Sequence, residues 1–204
     1  MKVQRNVILI VLAVLLLDQG LKLWVRTHLI ENQELFITSW FRLHFVENPG
    51  MAFSMELPGQ YGKLLLSWFR VFAITGIGYM LMRVIREKQP AGLAYCGALI
   101  FAGAVGNLID SAFYGIAFHY APFMQGYVVD MLWFPIVHGF FPTWLPLWGG
   151  EYFEFFRPVF NVADSSITVG IFLIVIFQNR LFPEQKNEAA IPEEIQPETP
   201  ASEN

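Results

Sequence analysis

The sequence predicts an all-α membrane protein built on four transmembrane helices. Three observations carry that expectation. Hydrophobic residues make up 55% of the 204 against 15% charged. Four apolar runs are each long enough to cross hydrocarbon, and positive charge gathers on one side of them. A soluble chain of this length carries more charge and shorter apolar runs. One compact membrane unit is expected over residues 1–182, with a tail over 183–204.

The first run, residues 7–25, measures about 28 Å as a helix, enough to span. Lys2 and Arg5 precede it, as in a secretory leader. The run continues into LDQGLKLWV with no small-x-small cleavage site, and later apolar segments would not be explained by a cleaved leader. The second span is expected near 64–82, the third near 93–113 and the fourth near 159–177. Pro158 suits the first turn of that last helix.

Arg83, Arg86 and Lys88 crowd the short connection between spans two and three. Lys2 and Arg5 precede span one, and Arg180 and Lys186 follow span four. The longer connections are poorer in positive charge, with Arg26, Arg42 and Arg157 the chief members. Both termini are therefore expected in the cytoplasm, with residues 26–60 and 114–157 outside.

The two outer segments differ. Residues 35–55 carry β-formers, partial alternation and a glycine turn, which suits a few short strands on the membrane surface. Residues 131–157 hold ten aromatics broken by Pro135, Pro142 and Pro146, so they cannot form one helix. Their rings suit the headgroup layer, as an interfacial flap or as a passive anchor. The tail from Pro183, rich in proline and glutamate, reads as disordered.

Charge and cysteine usage exclude other classes. The net charge of −4 owes much to six glutamates in the tail (Glu184, Glu188, Glu193, Glu194, Glu198 and Glu203), and the rest is close to neutral. Neither nucleic acid nor an acidic surface is an implied partner. Cys96 alone cannot form an intramolecular disulfide. The four histidines lack ligand spacing, and no CxxC or HExxH occurs, so no metal is expected.

Ionisable groups within a span are costly, about 2.5–3.5 kcal/mol at its centre. Here they cluster at the outer ends: Asp18 and Lys22 on span one, Asn107 and Asp110 on span three, Asn161 and Asp164 on span four. Asp130 opens the aromatic segment. Asp18 and Lys22 are i,i+4 and can pair across one helix face. Asn107/Asp110 and Asn161/Asp164 repeat an i,i+3 spacing that also shares a face. Gly103 and Gly106 would let another helix approach closely.

Two neighbouring carboxylates cannot both ionise cheaply, so they share a proton. One then activates water while the other protonates a carbonyl oxygen, which hydrolyses a peptide bond without metal or cofactor. An ion pathway also uses intramembrane acids, but these stop at one surface. A nucleophilic serine lacks a GxSxG context, and no histidine is placed by sequence to serve it.

The ordered blocks DQGLK (18–22), ENPGMAFS (47–54), GAVGNLID (103–110), GYVVD (126–130) and FNVADSSI (160–167) resemble the lipoprotein signal peptidases along about residues 5–180. The resemblance implies four transmembrane helices, a small periplasmic β-cradle and a site at the outer face of the bacterial inner membrane. It implies cleavage of diacylglyceryl-modified prolipoproteins before the lipidated cysteine, and inhibition by globomycin-type peptides. A monomer suffices for this activity, alongside membrane lipids.

By the same resemblance the catalytic aspartates fall on Asp130 and Asp164. Supporting positions fall on Asp18, Lys22, Asn48, Gly50, Asn107, Asp110 and Asn161. Asn107 and Asn161 would orient the dyad or bind substrate backbone, and Asn48 and Gly50 would line the cradle. Asp110 reads as a helix-holding residue and as the rival for dyad membership.

Two departures stand out. Ser111 follows Asp110 where the family usually has arginine, leaving Arg70 and Arg157 as available replacements. The separation of 34 between Asp130 and Asp164 is longer than the family's usual one, and the aromatic insertion fills it. A small transporter and a lipid-headgroup transferase remain as rival functions.

Overall fold

The computed structural model describes residues 1–49 and 61–182. Gly50, the remainder of the 35–55 stretch beyond it, and the tail from Pro183 lie outside the described residues. The long helices are α1 (Lys2–His28), α2 (Gly62–Arg86) and α3 (Ala91–Ile109). A π-helical turn (Asp110–Tyr114) and a three-residue turn, α4 (Gly115–Ala117), prolong α3. Helices 2–28, 62–86 and 91–117 are each long and apolar enough to cross a membrane. The apolar helix α5 (Val162–Ile176) is shorter, and a last turn, α6 (Gln178–Leu181), follows it.

These helices turn large apolar side chains outward: Leu16, Phe69, Phe72 and Phe172 are each more than 60% exposed. Such a surface is unfavourable in water and matched to hydrocarbon. The polar residues are withdrawn inside instead, with Asp18, Lys22 and Asp110 fully buried.

Helix α3 is the centre of the bundle and packs on α1, α2 and α5. Glycine makes the approach to α5 possible. A Cβ at Gly103 would lie 2.2 Å from the Ala163 carbonyl oxygen, and one at Gly106 would lie 2.7 Å from Asp18 Oδ2. The two glycines thus bring α3 against both α5 and a buried carboxylate of α1.

Among the described residues six strands accompany the helices: β1 (Glu34–Phe36), β2 (Arg42–Asn48), β3 (Val128–Trp133), β4 (Val137–Phe140), β5 (Tyr152–Phe155) and β6 (Val159–Phe160). Four of them form an antiparallel sheet in the order β1-β2-β3-β6, and β4 pairs with β5 alone. An apolar helical bundle carrying small antiparallel sheets accords with the expected membrane helices and small β-structure. β1 and β2 fall within or beside the stretch expected to hold short strands. β3, which carries Asp130, had no strand expectation.

Val25 from α1 packs with Leu43, Phe45, Tyr114, Val129 and Met131, fastening the sheet to one end of the bundle. Arg26 pairs with Glu47 of β2 and lies over the Phe118 ring, 4.2 Å from its centroid. A bulge on β2 between Leu43 and Val46 sets Val46 opposite Asp130. Such bulges re-aim side chains locally.

The helix start expected at Pro158 is corrected. Val159 and Phe160 instead pair with Trp133 and Leu132 of β3, and α5 starts at Val162 behind an Asn161 cap. The Asn161 side chain accepts from the Asp164 N–H while the Asp164 carboxylate accepts from the Asn161 N–H. This reciprocal cap satisfies two backbone donors, which outweighs the proline's fit to a first turn.

Candidate active site

The base of the site is a buried charge cluster. Lys22 Nζ lies 2.9 Å from Asp18 Oδ2 and 2.8 Å from Asp110 Oδ2, and donates to Asn107 Oδ1 at 3.0 Å. Both carboxylates carry further bonds. Asp18 Oδ1 accepts the Ala163 N–H at 2.8 Å. Ala163 is the second residue of α5, so Asp18 satisfies one of the unpaired donors at that helix start. Asp110 Oδ2 accepts the Val129 N–H at 3.3 Å, tying α3 to β3. A buried ion group is tolerable only when its remaining lone pairs are satisfied in this way.

Gln19 completes the cluster, although sequence reasoning did not single it out. Its Nε2 donates to Asp110 Oδ1 (2.8 Å), Asp18 Oδ2 (3.1 Å) and the Gly106 carbonyl (3.2 Å). The Tyr114 hydroxyl donates to Gln19 Oε1 at 3.2 Å. The available signal was a polar amide beside Asp18 in an otherwise apolar helix.

Above this base stand Asp130 and Asp164, presented by β3 and by the first turn of α5. Asp130 is 3% exposed and Asp164 is half-buried. Asn161 links them. Its Nδ2 donates to Asp130 Oδ1 at 2.7 Å, and its backbone N–H donates to Asp164 Oδ2 at 3.4 Å. Asn48 Nδ2 holds the other Asp130 oxygen at 2.8 Å. Asn107 Nδ2 holds Asp164 Oδ1 at 2.7 Å, while its Oδ1 accepts from Lys22 and from Asn161 Nδ2 (3.1 Å).

The electrostatics of the pair are uneven. Burial, followed by the charge of Asp164, pushes the Asp130 carboxyl up to about 7, against the opposing pull of the Asn48 and Asn161 amides. Asp164 occupies the first turn of α5, where unpaired N–H groups favour an anion.

Eight of the sequence-predicted residues, Asp18, Lys22, Asn48, Asn107, Asp110, Asp130, Asn161 and Asp164, thus join in one hydrogen-bonded network. Gly50 lies outside the described residues. The two arginines weighed against Ser111 separate cleanly: Arg157 is exposed beyond β5, whereas Arg70 Nη1 donates to Ser111 Oγ at 2.6 Å. The aromatic segment 131–157 contributes the end of β3 and the β4–β5 hairpin, with Phe140, Tyr152 and Phe155 of that hairpin exposed.

The fold of the bundle and its sheet has counterparts among solved structures. A solved bacterial membrane enzyme superposes with a TM-score of 0.62 over 91% of this chain and 94% of that one, at 23% identity. A second one gives 0.60 over 85% and 92%, at 24% identity. Among proteins of known name, the lipoprotein signal peptidase of Porphyromonas gingivalis is 43% identical over 184 residues, covering 82% of this chain and 80% of that protein. That of Amoebophilus asiaticus is 36% identical over 192 residues, covering 88% and 81%. Residues 10–180, which include every element from α2 to α5 and both aspartates, match the family described as Signal peptidase (SPase) II. The chain belongs to the signal peptidase II family.

Proposed function

We propose that this chain is a membrane aspartic endopeptidase that removes the leader from diacylglyceryl-modified prolipoproteins, cutting before the lipidated cysteine. The observation that carries the reading is the Asn161 bridge, which holds Asp130 and Asp164 within one hydrogen-bond network. Two carboxyls from different elements, one pushed up to about 7, fit the sharing of one proton.

In this mechanism Asp164 is the base and Asp130 the acid. The Asp164 carboxylate takes a proton from water as the water oxygen attacks the scissile carbonyl carbon. The Asp130 carboxyl gives its proton to the carbonyl oxygen, producing a neutral diol. Asp164 then gives its proton to the amide nitrogen while Asp130 takes one from a diol hydroxyl, and the C–N bond breaks to release the two peptides. Asn48, Asn107 and Asn161 fix the carboxylates in place, and Asp18, Lys22 and Asp110 hold the helices beneath them.

The bundle lies in the bacterial inner membrane, with three spans near 7–25, 64–82 and 93–113 and a fourth that starts at Val162. Both termini and the acidic tail are cytoplasmic, and the site faces the periplasm. The sheet is the cradle for the peptide, and the aromatic β4–β5 hairpin is a flap at the membrane surface. A leader that enters from the cytoplasm brings its scissile bond to that face. One copy of the chain suffices, and globomycin-type peptides compete with the substrate.

The test compares the native chain, Asp130→Asn and Asp164→Asn, purified in detergent, on a diacylglyceryl-modified prolipoprotein followed by gel shift. Cleavage by the native chain alone is the expected result. Cleavage retained by either variant removes that residue from the pair. A folded native chain that cuts nothing turns the assignment toward transport or headgroup transfer.

A further inference from the structure

The polar network described so far is carried by α1, α3, α5 and the sheet, yet a fourth helix also sends charge toward it. Arg70 lies on α2, about 12 Å along the helix from Gly62. That depth is unfavourable for a cation facing lipid. Arg70 does not face lipid. It is half-buried, and its Nη1 donates to Ser111 Oγ at 2.6 Å. Ser111 Oγ in turn donates to the Asn107 carbonyl at 3.1 Å, and Asn107 Nδ2 donates to Asp164 at 2.7 Å. The guanidinium therefore stands three hydrogen bonds from a candidate catalytic carboxylate.

The backbone of α3 is shaped to receive it. Ser111 belongs to the π-helical turn Asp110–Tyr114, which interrupts the regular ladder directly after Ile109. Turns of this kind re-aim side chains and recur at functional sites. Here the turn holds the Ser111 hydroxyl between α3 and α2.

The Asn48, Asn107 and Asn161 amides are directed at carboxylates and at each other. Arg70 carries a planar fork of five donors that can serve several acceptors at once, and a main-chain carbonyl entering a water-poor site requires a donor.

We propose that Arg70 is a substrate-binding residue, whose guanidinium, steadied on Ser111, hydrogen-bonds a main-chain carbonyl of the peptide lying beside Asp130 and Asp164. The inference rests on the peptidase reading for the identity of its ligand.

The experiment measures affinity as well as turnover. Full-length native chain, Arg70→Gln, Arg70→Lys and Ser67→Ala are purified in detergent, and KM and kcat are measured on a diacylglyceryl-modified prolipoprotein. Each α2 change is also placed on an Asp130→Asn background to obtain Kd without turnover. Ser67 shares α2 and is fully buried with no hydrogen-bond partner among the described residues, so its variant reports on packing alone.

Loss of a charge-assisted bond predicts a rise in KM and Kd of roughly tenfold or more for Arg70→Gln, with kcat changed less. Arg70→Lys should recover part of the loss, and Ser67→Ala should bind like the native chain. Unchanged Kd in Arg70→Gln, or an equal loss in Ser67→Ala, overturns the inference while cleavage by the native chain upholds the peptidase. Substrate bound tightly but never cut by the native chain, with Arg70→Gln weaker, upholds the inference and overturns the peptidase. A native chain that binds no substrate overturns both.

Discussion

Asn161 Nδ2 donates to Asp130 Oδ1 at 2.7 Å while the Asn161 side-chain oxygen accepts the Asp164 N–H at 2.9 Å. One amide therefore caps α5 and orders both candidate catalytic carboxylates. Asn161→Ala should lose the cap, about 1 kcal/mol, and leave buried partners unsatisfied at about 1–3 kcal/mol more. The expected result is a lower unfolding temperature together with cleavage reduced on the order of a hundredfold. Asn161→Asp can still cap the helix but sets a third carboxylate against the pair. Its activity should remain low even where stability returns, which thermal unfolding and gel-shift assays on the same preparations would separate.

The raised Asp130 carboxyl makes stability depend on pH. Its folded value of about 7 exceeds the ordinary value near 4, so the folded chain binds the proton more tightly than the unfolded one. This contribution is fully present below about pH 4 and is lost as pH rises through about 7. The native chain should therefore lose more stability between pH 5 and pH 8 than Asp130→Asn, which has no proton to release. Thermal unfolding of both in one detergent checks the sign. In the proposed mechanism Asp130 is the acid, so cleavage should also fall above about pH 7.

Lys22 is the shared counter-charge of Asp18 and Asp110, and all three are fully buried. Lys22→Met should cost about 3–5 kcal/mol, since it strands two buried carboxylates. Adding Asp110→Asn should return part of that loss, because one stranded charge disappears. Chemical or thermal unfolding of the single and double variants gives the comparison. Equal stability of the two would place the main cost elsewhere.

Two glycines on facing helices should respond oppositely. A methyl group at Gly106 would sit 2.7 Å from Asp18 Oδ2 and 3.2 Å from Ala163 Cβ, so Gly106→Ala should destabilise by about 1–3 kcal/mol and lower cleavage by shifting α5. Gly20 has nothing within 4 Å of its Cβ position. Gly20→Ala should be neutral or stabilising by up to about 1 kcal/mol through helix propensity. Unfolding temperatures of the pair, measured side by side, test the packing argument directly.

Much of this protein is legible in local sequence. The apolar runs lead to α1, α2 and α3 because a membrane leaves the backbone no partner except its own helix. The polar residues withheld from those runs mark the network, since a carboxylate among apolar neighbours requires a partner nearby. Asp18–Lys22 pairing was readable from i,i+4 spacing alone.

Other features arise only when distant segments meet. Periodicity near Asp130 carries no sign that Val46 will pair opposite it across a bulge, or that β3 will form the inner strand of a sheet. The start of α5 followed the cap made by Asn161 rather than the preference of Pro158, because the sheet draws Val159 and Phe160 to β3. Gln19 and the Arg70–Ser111 contact also depend on helices whose approach glycine permits. Sequence by itself determined which residues could not rest in lipid without partners, since that follows from the cost of burying each charge. Apart from the Asp18–Lys22 pair, tertiary structure decided which partner each one found, because bonds such as Asn161–Asp130 and Ala163–Asp18 join residues 31 and 145 positions apart and are selected by packing, not by local spacing.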